Sequence, residues 1–315
     1  MNPAGAASAW PERPVVVRTP ATSANLGPGF DALGLALSMH DEVHVQVTGA
    51  GLRIEVSGAG ERTARHGEAH LVVRAMRAAF DALGGQPPGI ALRCVNTIPH
   101  WFGLGSSAAA IVAGVLAARA LRGEAGLRRL PDEAVLRLAA GIEGHADNVA
   151  ACLAGGLTIA WGPPRSLRLE PRPGLTPVLC VPAVPLATEA ARQVLPARVP
   201  HADAARNAAR SALLVAALTQ PSLIPDAGLL LDATLDYLHQ PYRASSMPGT
   251  TELVAALRTA GIPAVVSGAG PAALALIVPG VTAGADAVAG IAGASGQEWT
   301  VHVLDVDRDG AVVTS

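Results

Sequence analysis

The stretch that most constrains this chain is GLGSSAAAIVAG, residues 103–114, in which two glycines and two serines lead straight into an alanine-rich run. Gly103 and Gly105 permit the left-handed backbone of a tight turn, and Ser106 and Ser107 stand where a helix begins. Unpaired main-chain N–H groups there, with a helix dipole worth about half a positive charge, form a ready anion site. The hydroxyls suit a phosphate oxygen or a divalent cation. The same pattern also caps many helices that bind nothing, so other motifs must decide.

Composition removes several competitors. All 23 basic residues are arginine, and a chain without lysine has no Walker A loop, whose G-x-x-x-x-G-K-[ST] pattern requires one. The G-x-S-x-G elbow of α/β-hydrolases is absent. A dinucleotide fold places its glycines after the first strand, not deep in the chain. A formal charge of −2 gives no field for nucleic acid or a membrane surface. The 315 residues, half of them hydrophobic, allow one large or two ordinary domains. Cys94, Cys152 and Cys180 form no C-x-x-C pair and read as buried apolar residues in a reducing compartment. The opening MNPAGAASAWPER lacks an apolar core for a signal peptide, so residues 1–13 are expected to be a disordered lead-in. The most apolar helix is cut by Arg119 and is too short for a bilayer. Together these features point to a soluble cytoplasmic protein.

Periodicity along the chain is α+β. VVVRTPATSA, EVHVQVTG and LRIEVSG alternate as strands and suggest an early antiparallel sheet. Residues 68–83 have helical period, GIALRCVNTI returns to strand, and helices follow over 107–121 and 131–141 before the strand GGLTIAW. GPPRSLRLEPRPG, with its prolines and clustered arginines, marks the expected boundary between residues 14–165 and 166–315. Beyond it come a strand (TPVLCVPA), helices over 188–195 and 201–219, a helix–strand–turn–strand run from Thr250, and a last helix and strand.

Two further glycine-bearing stretches bear on function. PATSANLGPGFDALGLAL (20–37) leaves a strand, turns through Gly27-Pro28-Gly29 and presents Asn25 and Asp31; SGAGPAALAL (267–276) is a glycine hairpin between apolar strands. With the loop at 103–107 these resemble, in order and spacing, the three signature motifs of the GHMP family of small-molecule kinases, over nearly the whole chain from Val15 to Val303. SANLGPGFD, EGHADNVA, LHQPYR and SGAGP together are similar to its homoserine kinase branch.

The resemblance implies a GHMP kinase fold. Its N-terminal domain would resemble ribosomal protein S5 domain 2 and bind ATP; its C-terminal domain would be ferredoxin-like, with the site between them. It implies transfer of the γ-phosphoryl of ATP to the hydroxyl of L-homoserine, in threonine biosynthesis, with Mg²⁺. By the same resemblance Pro99, Gly103, Leu104, Gly105, Ser106, Ser107 and Ala108 would hold the nucleotide. Ser107 and Glu143 would hold the metal; several relatives carry a further acid where this chain has Gly141. Asn25, Asp31, Asp147, Arg192, Arg243, Gly268 and Gly270 would form the acceptor site. Arg192 and Arg243 would grip the carboxylate, and Asp147 and Asn25 would act catalytically at the amino and hydroxyl ends. A zwitterion needs such a guanidinium and carboxylate clamp. His145 and His201, with no second histidine at metal spacing, are expected to make structural hydrogen bonds. A homodimer is also implied.

Trp101 and Phe102 depart from the pattern, since relatives carry small or polar residues there; Ala272 departs where a hydroxyl is common. An indole at the cleft edge would stack on adenine; pointing inward it would fill the nucleotide's space. Three readings therefore stand at this point: a homoserine kinase, a GHMP kinase for another amino-alcohol, or a non-catalytic homologue whose nucleotide loop is blocked.

Overall fold

The computed structural model of the chain describes residues 10, 14–62, 67–220, 222 and 227–314. β-Branched alternation produces β1 (Val15–Ala24) and the long β2 (Leu33–Thr48), paired antiparallel, with Val15, Val17, Val43 and Val45 buried. β3 (Gly51–Gly58), helix α1 (Leu71–Ala82) and β4 (Gly89–Asn96) follow. The expected antiparallel run through β3 is corrected here: β4 pairs with β2, and β3 lies outside it, parallel to β4. Parallel neighbours need a crossover, and α1 supplies it. β4 buries Ile90, Leu92 and Cys94 and so takes the inner place, while β3 exposes alternate residues at its edge.

The glycine loop opens α2 (Ser106–Leu121), which is buried on nearly every side by Ala, Val, Ile and Leu. Its small residues allow this: a Cβ at Gly114 would lie 2.5 Å from the Val72 carbonyl of α1. α3 (Gly123–Arg129), α4 (Asp132–Glu143) and α5 (Asp147–Ala154) lead to the hairpin of β5 (Leu157–Trp161) and β6 (Arg165–Leu169).

The second half begins with β7 (Thr176–Pro182), then α6 (Thr188–Gln193), α7 (His201–Thr219), α8 (Ala227–Ala233), α9 (Gln240–Arg243) and α10 (Pro248–Thr259). β8 (Ala264–Val266), β9 (Ala273–Ile277), α11 (Ala285–Ala294), β10 (Trp299–Val303) and β11 (Val312–Thr314) complete it. β10-β7-β9-β8 form an antiparallel sheet covered by α10 and α11 through Leu253, Leu257, Val288 and Ala292. That order is the split βαβ of a ferredoxin-like domain, as expected.

The division expected at 165/166 falls within β6. β6 belongs to the first sheet through β5, and β11 returns to pair with β1. The arginines of β6 read as linker because they are the exposed residues of an edge strand. The lead-in also needs correction at one residue: Trp10 packs edge-on against Phe80, ring centroids 5.5 Å apart, beneath the Arg122 guanidinium. The rest of residues 1–13 lies outside the described residues. Cys94, Cys152 and Cys180 are free and buried, and no described helix is long and apolar enough to cross a membrane.

Candidate active site

The three glycine motifs meet. Gly103 and Gly105 have φ of +75° and +68°, and each is pressed against a neighbour. A Cβ on Gly103 would overlap the Ser267 carbonyl, and one on Gly105 would overlap the Thr22 hydroxyl. Glycine is needed at both for conformation and for close approach. The Asn25 amide joins the first motif to the third, donating to Gly268 O at 2.8 Å and accepting from Asp31 N–H at 2.9 Å. Ser267 Oγ donates to Gly103 O at 2.8 Å.

Around this junction lies a cavity of about 460 Å³. Gly103 to Ser107 line it, with the first turn of α2 carrying no side-chain cap, so its N–H groups stay available. Ser107 Oγ donates to Glu143 Oε2 although the residues are 36 apart in sequence. Burial pushes the Glu143 carboxyl up in pKa. Asp147, at the start of α5 and 2% exposed, is pushed up to about 6, burial being the main cause. Beside it Asn148 lines the cavity, its Oδ1 held at 2.7 Å by the Thr22 hydroxyl.

On the other wall Arg192, projecting from α6, pairs with Asp31. Its Nε is buried without a partner among the described residues. Arg243 of α9 is 1% exposed and lies under the same cavity. Its Nε donates to Ala191 O at 2.9 Å and its Nη1 to Gly268 O at 3.3 Å. Burial lowers its pKa to about 10.

Most of the expected site residues converge here, with exceptions. Pro99, Ala108 and Gly270 do not line the cavity: Ala108 is buried in the core, and Gly270 packs on Met247. Asp31 reaches the site only through Arg192. Asn25 lines the cavity with its amide already engaged at both ends, so its observed work is bracing. The histidine expectations are corrected: His145 Nδ1 is buried without a hydrogen bond among the described residues, 3.8 Å from Glu143, and His201 is exposed at the start of α7. Gly141 is exposed and supplies no second acid. Ala272 is buried away from the cavity.

Trp101 and Phe102 diverge. Trp101 sits at the rim, 49% exposed, with φ of +66°. Phe102 packs on the hydrophobic core and does not line the cavity. The far end was not anticipated: Thr19, Asp41, His70, Cys94, Asn96 and His100 line it. Asp41 accepts from the N–H groups of Thr97 and Ile98 at 2.7 and 2.9 Å. Burial raises its pKa to about 6. An acid within an apolar strand pattern was the available signal.

Residues 70–156 match the family model of the GHMP kinase N-terminal domain, and residues 214–289 that of the GHMP kinase C-terminal domain. The chain is 54% identical to a homoserine kinase of Streptomyces coelicolor over 304 residues, covering 95% of this chain and 94% of that one. A homoserine kinase of Streptomyces avermitilis is 53% identical over 302 residues, covering 95% of each. The crystal structure of homoserine kinase from Cytophaga hutchinsonii superposes with a TM-score of 0.82 at 28% identity, covering 98% of this chain and 99% of that one.

Proposed function

We infer from its family, since this chain belongs to the homoserine kinases of the GHMP kinase family, that it transfers the γ-phosphoryl group of ATP to the side-chain hydroxyl of L-homoserine. The observation that carries this reading is one cavity joining an uncapped glycine-rich helix start, a metal-suited oxygen pair and two arginines beside a buried aspartate. Phosphoryl transfer asks for alignment and charge neutralisation rather than covalent chemistry, and these groups supply both.

In this reading the N–H groups of Gly103 to Ser107 hold the nucleotide phosphates, with Trp101 at the rim of the cavity. Ser107 Oγ and Glu143 Oε2 are hard oxygen donors already in contact, and would hold Mg²⁺. A bound Mg²⁺ would neutralise charge on the transferring group. Arg243 and Arg192 hold the acceptor carboxylate, and Asp31 holds Arg192 in place from behind. Asp147 orients the hydroxyl and accepts its proton, and Asn148 presents an amide beside it. Pro99, Ala108 and Gly270 act behind the cavity through the backbone they fix. Buried, free cysteines fit a reducing cytoplasmic setting, and a homodimer is the assembly the family likeness implies.

The test is product identity. Incubated with MgATP and L-homoserine, the protein is expected to form O-phospho-L-homoserine, seen as a new phosphomonoester resonance by phosphorus NMR. L-serine, L-threonine and 4-aminobutanol serve as competing acceptors. Faster phosphorylation of one of these would replace homoserine as the substrate.

A further inference from the structure

Arg243 and Arg192 are held in opposite ways. Arg192 is paired with the Asp31 carboxylate. Among the described residues no carboxylate stands within ion-pair distance of Arg243, although it is 1% exposed. Its N–H bonds go to neutral acceptors instead: the carbonyls of Ala191 and Gly268, and Nδ1 of His239 at 2.9 Å from Nη1. A buried guanidinium satisfied by neutral groups keeps its positive charge for a ligand.

The His239 ring is completely buried, and its partners dictate its proton. Nε2 lies 2.8 Å from the Gly27 carbonyl, which only accepts, so Nε2 carries the hydrogen. Arg243 Nη1 only donates, so Nδ1 presents its lone pair. Phe30 stacks on the imidazole, centroids 5.2 Å apart, and the Arg243 guanidinium lies 5.6 Å from the same Phe30 ring. The charged groups facing His239 are Asp236, 3.5 Å from Nε2, Arg243 and, farther off, Asp31. Burial outweighs the pull of the two acids, and Arg243 adds to it, so the imidazole pKa is held below its ordinary value.

We propose that His239 is a positioning residue of the acceptor site: its lone pair at Nδ1 fixes the rotation of the Arg243 guanidinium and leaves the Nη2 edge, with its charge uncompensated, for the carboxylate of an α-amino acid. The inference rests on Arg243 being a carboxylate-binding residue. An acid at position 239 would also hold the guanidinium but would neutralise it. An imidazole accepts without adding charge, and its other nitrogen ties the arrangement to the first glycine motif.

Two substitutions separate the nitrogens. His239→Asn keeps an acceptor at the Nδ1 position; His239→Gln keeps a donor at the Nε2 position and loses the acceptor. The KM values for L-homoserine and ATP, kcat and the melting temperature are measured for each. His239→Gln is expected to raise the homoserine KM by about tenfold or more, the usual effect of losing a hydrogen bond to a charged group. The ATP KM should stay near wild type, and His239→Asn should recover most of the homoserine KM. Equal rises in both variants, an ATP KM that moves in step, or no rise in either overturns the proposal. If His239→Gln does not fold, His239→Asp takes its place. It keeps the acceptor but pairs the charge, and its homoserine KM must exceed that of His239→Asn; equality overturns the proposal. Arg243→Lys reports on the premise: an unchanged homoserine KM there removes the carboxylate role of Arg243 itself. A raised KM there with no effect at position 239 removes only the inference about His239.

Discussion

Asp31 and Arg192 meet in a two-pronged ion pair, Nη2 to Oδ1 at 2.7 Å and Nη1 to Oδ2 at 3.3 Å. Both side chains are about a third exposed, so the pair contributes under about 1 kcal/mol to stability. In the proposed reading its importance lies in binding, since it holds Arg192 at the acceptor site. Asp31→Asn leaves Arg192 without its counter-charge and without the partner that fixes its guanidinium. The variant is expected to fold normally and to raise the homoserine KM about tenfold, a loss of about 1.4 kcal/mol. Steady-state kinetics varying each substrate in turn checks this, and the ATP KM should not move.

Ser107 and Glu143 touch across the start of α2 and the end of α4. Ser107→Ala and Glu143→Gln each remove one hard oxygen donor. Both are expected to raise the free Mg²⁺ needed for half-maximal rate and to lower kcat by about a hundredfold, the usual loss of one transition-state contact. Rate measurements across a Mg²⁺ titration at fixed ATP give the result.

In the proposed reading Asp147 accepts the hydroxyl proton and has to be ionised to do so, and burial pushes its pKa up to about 6. Turnover should therefore fall as pH drops through that value. Asp147→Asn should reduce kcat by about 10² to 10⁴, the range for a positioned proton acceptor. Homoserine binding, followed by calorimetry, should survive the change, because the carboxylate clamp is elsewhere.

Asp41 predicts a stability difference. Its pKa rises from 3.8 to about 6 on folding, so the native state holds the proton more tightly than the unfolded chain. Stability from this group therefore increases as pH falls from about 6 to about 4 and is absent above that window. Asp41→Asn keeps an acceptor for the Thr97 and Ile98 N–H groups and abolishes the titration. Urea unfolding at about pH 7.5 and about pH 4.5 should show wild type gaining about 2 kcal/mol relative to the variant.

Local pattern carried most of the elements into view. α2 was legible from its glycines, serines and alanines, and the β8–β9 hairpin from SGAGP. What local pattern does not carry is pairing at a distance. β3 was expected to turn back on β2 because the two are adjacent in sequence, yet β4 buries more apolar surface and displaces it. β6 passed for a linker because an exposed edge strand has a linker's composition. In the site, the clamp arginines were legible only through the motifs around them. Asp41 and the far end of the cavity were missed because separate elements, β1, β2, β4 and the residue capping α1, assemble that end. Trp101 and Phe102 are neighbours whose surroundings differ completely, one at a rim and one on the core, and adjacent letters carry no such information.

Calorimetry with MgATP asks whether the loop carrying Trp101 and Phe102 holds a nucleotide. Wild type and the double variant Trp101→Gly, Phe102→Arg are titrated side by side, with homoserine-dependent ADP release followed in the same samples. Wild type is expected to bind MgATP and to release ADP only when L-homoserine is present. Wild type that binds homoserine but no ATP, beside a double variant that binds both, would contradict it.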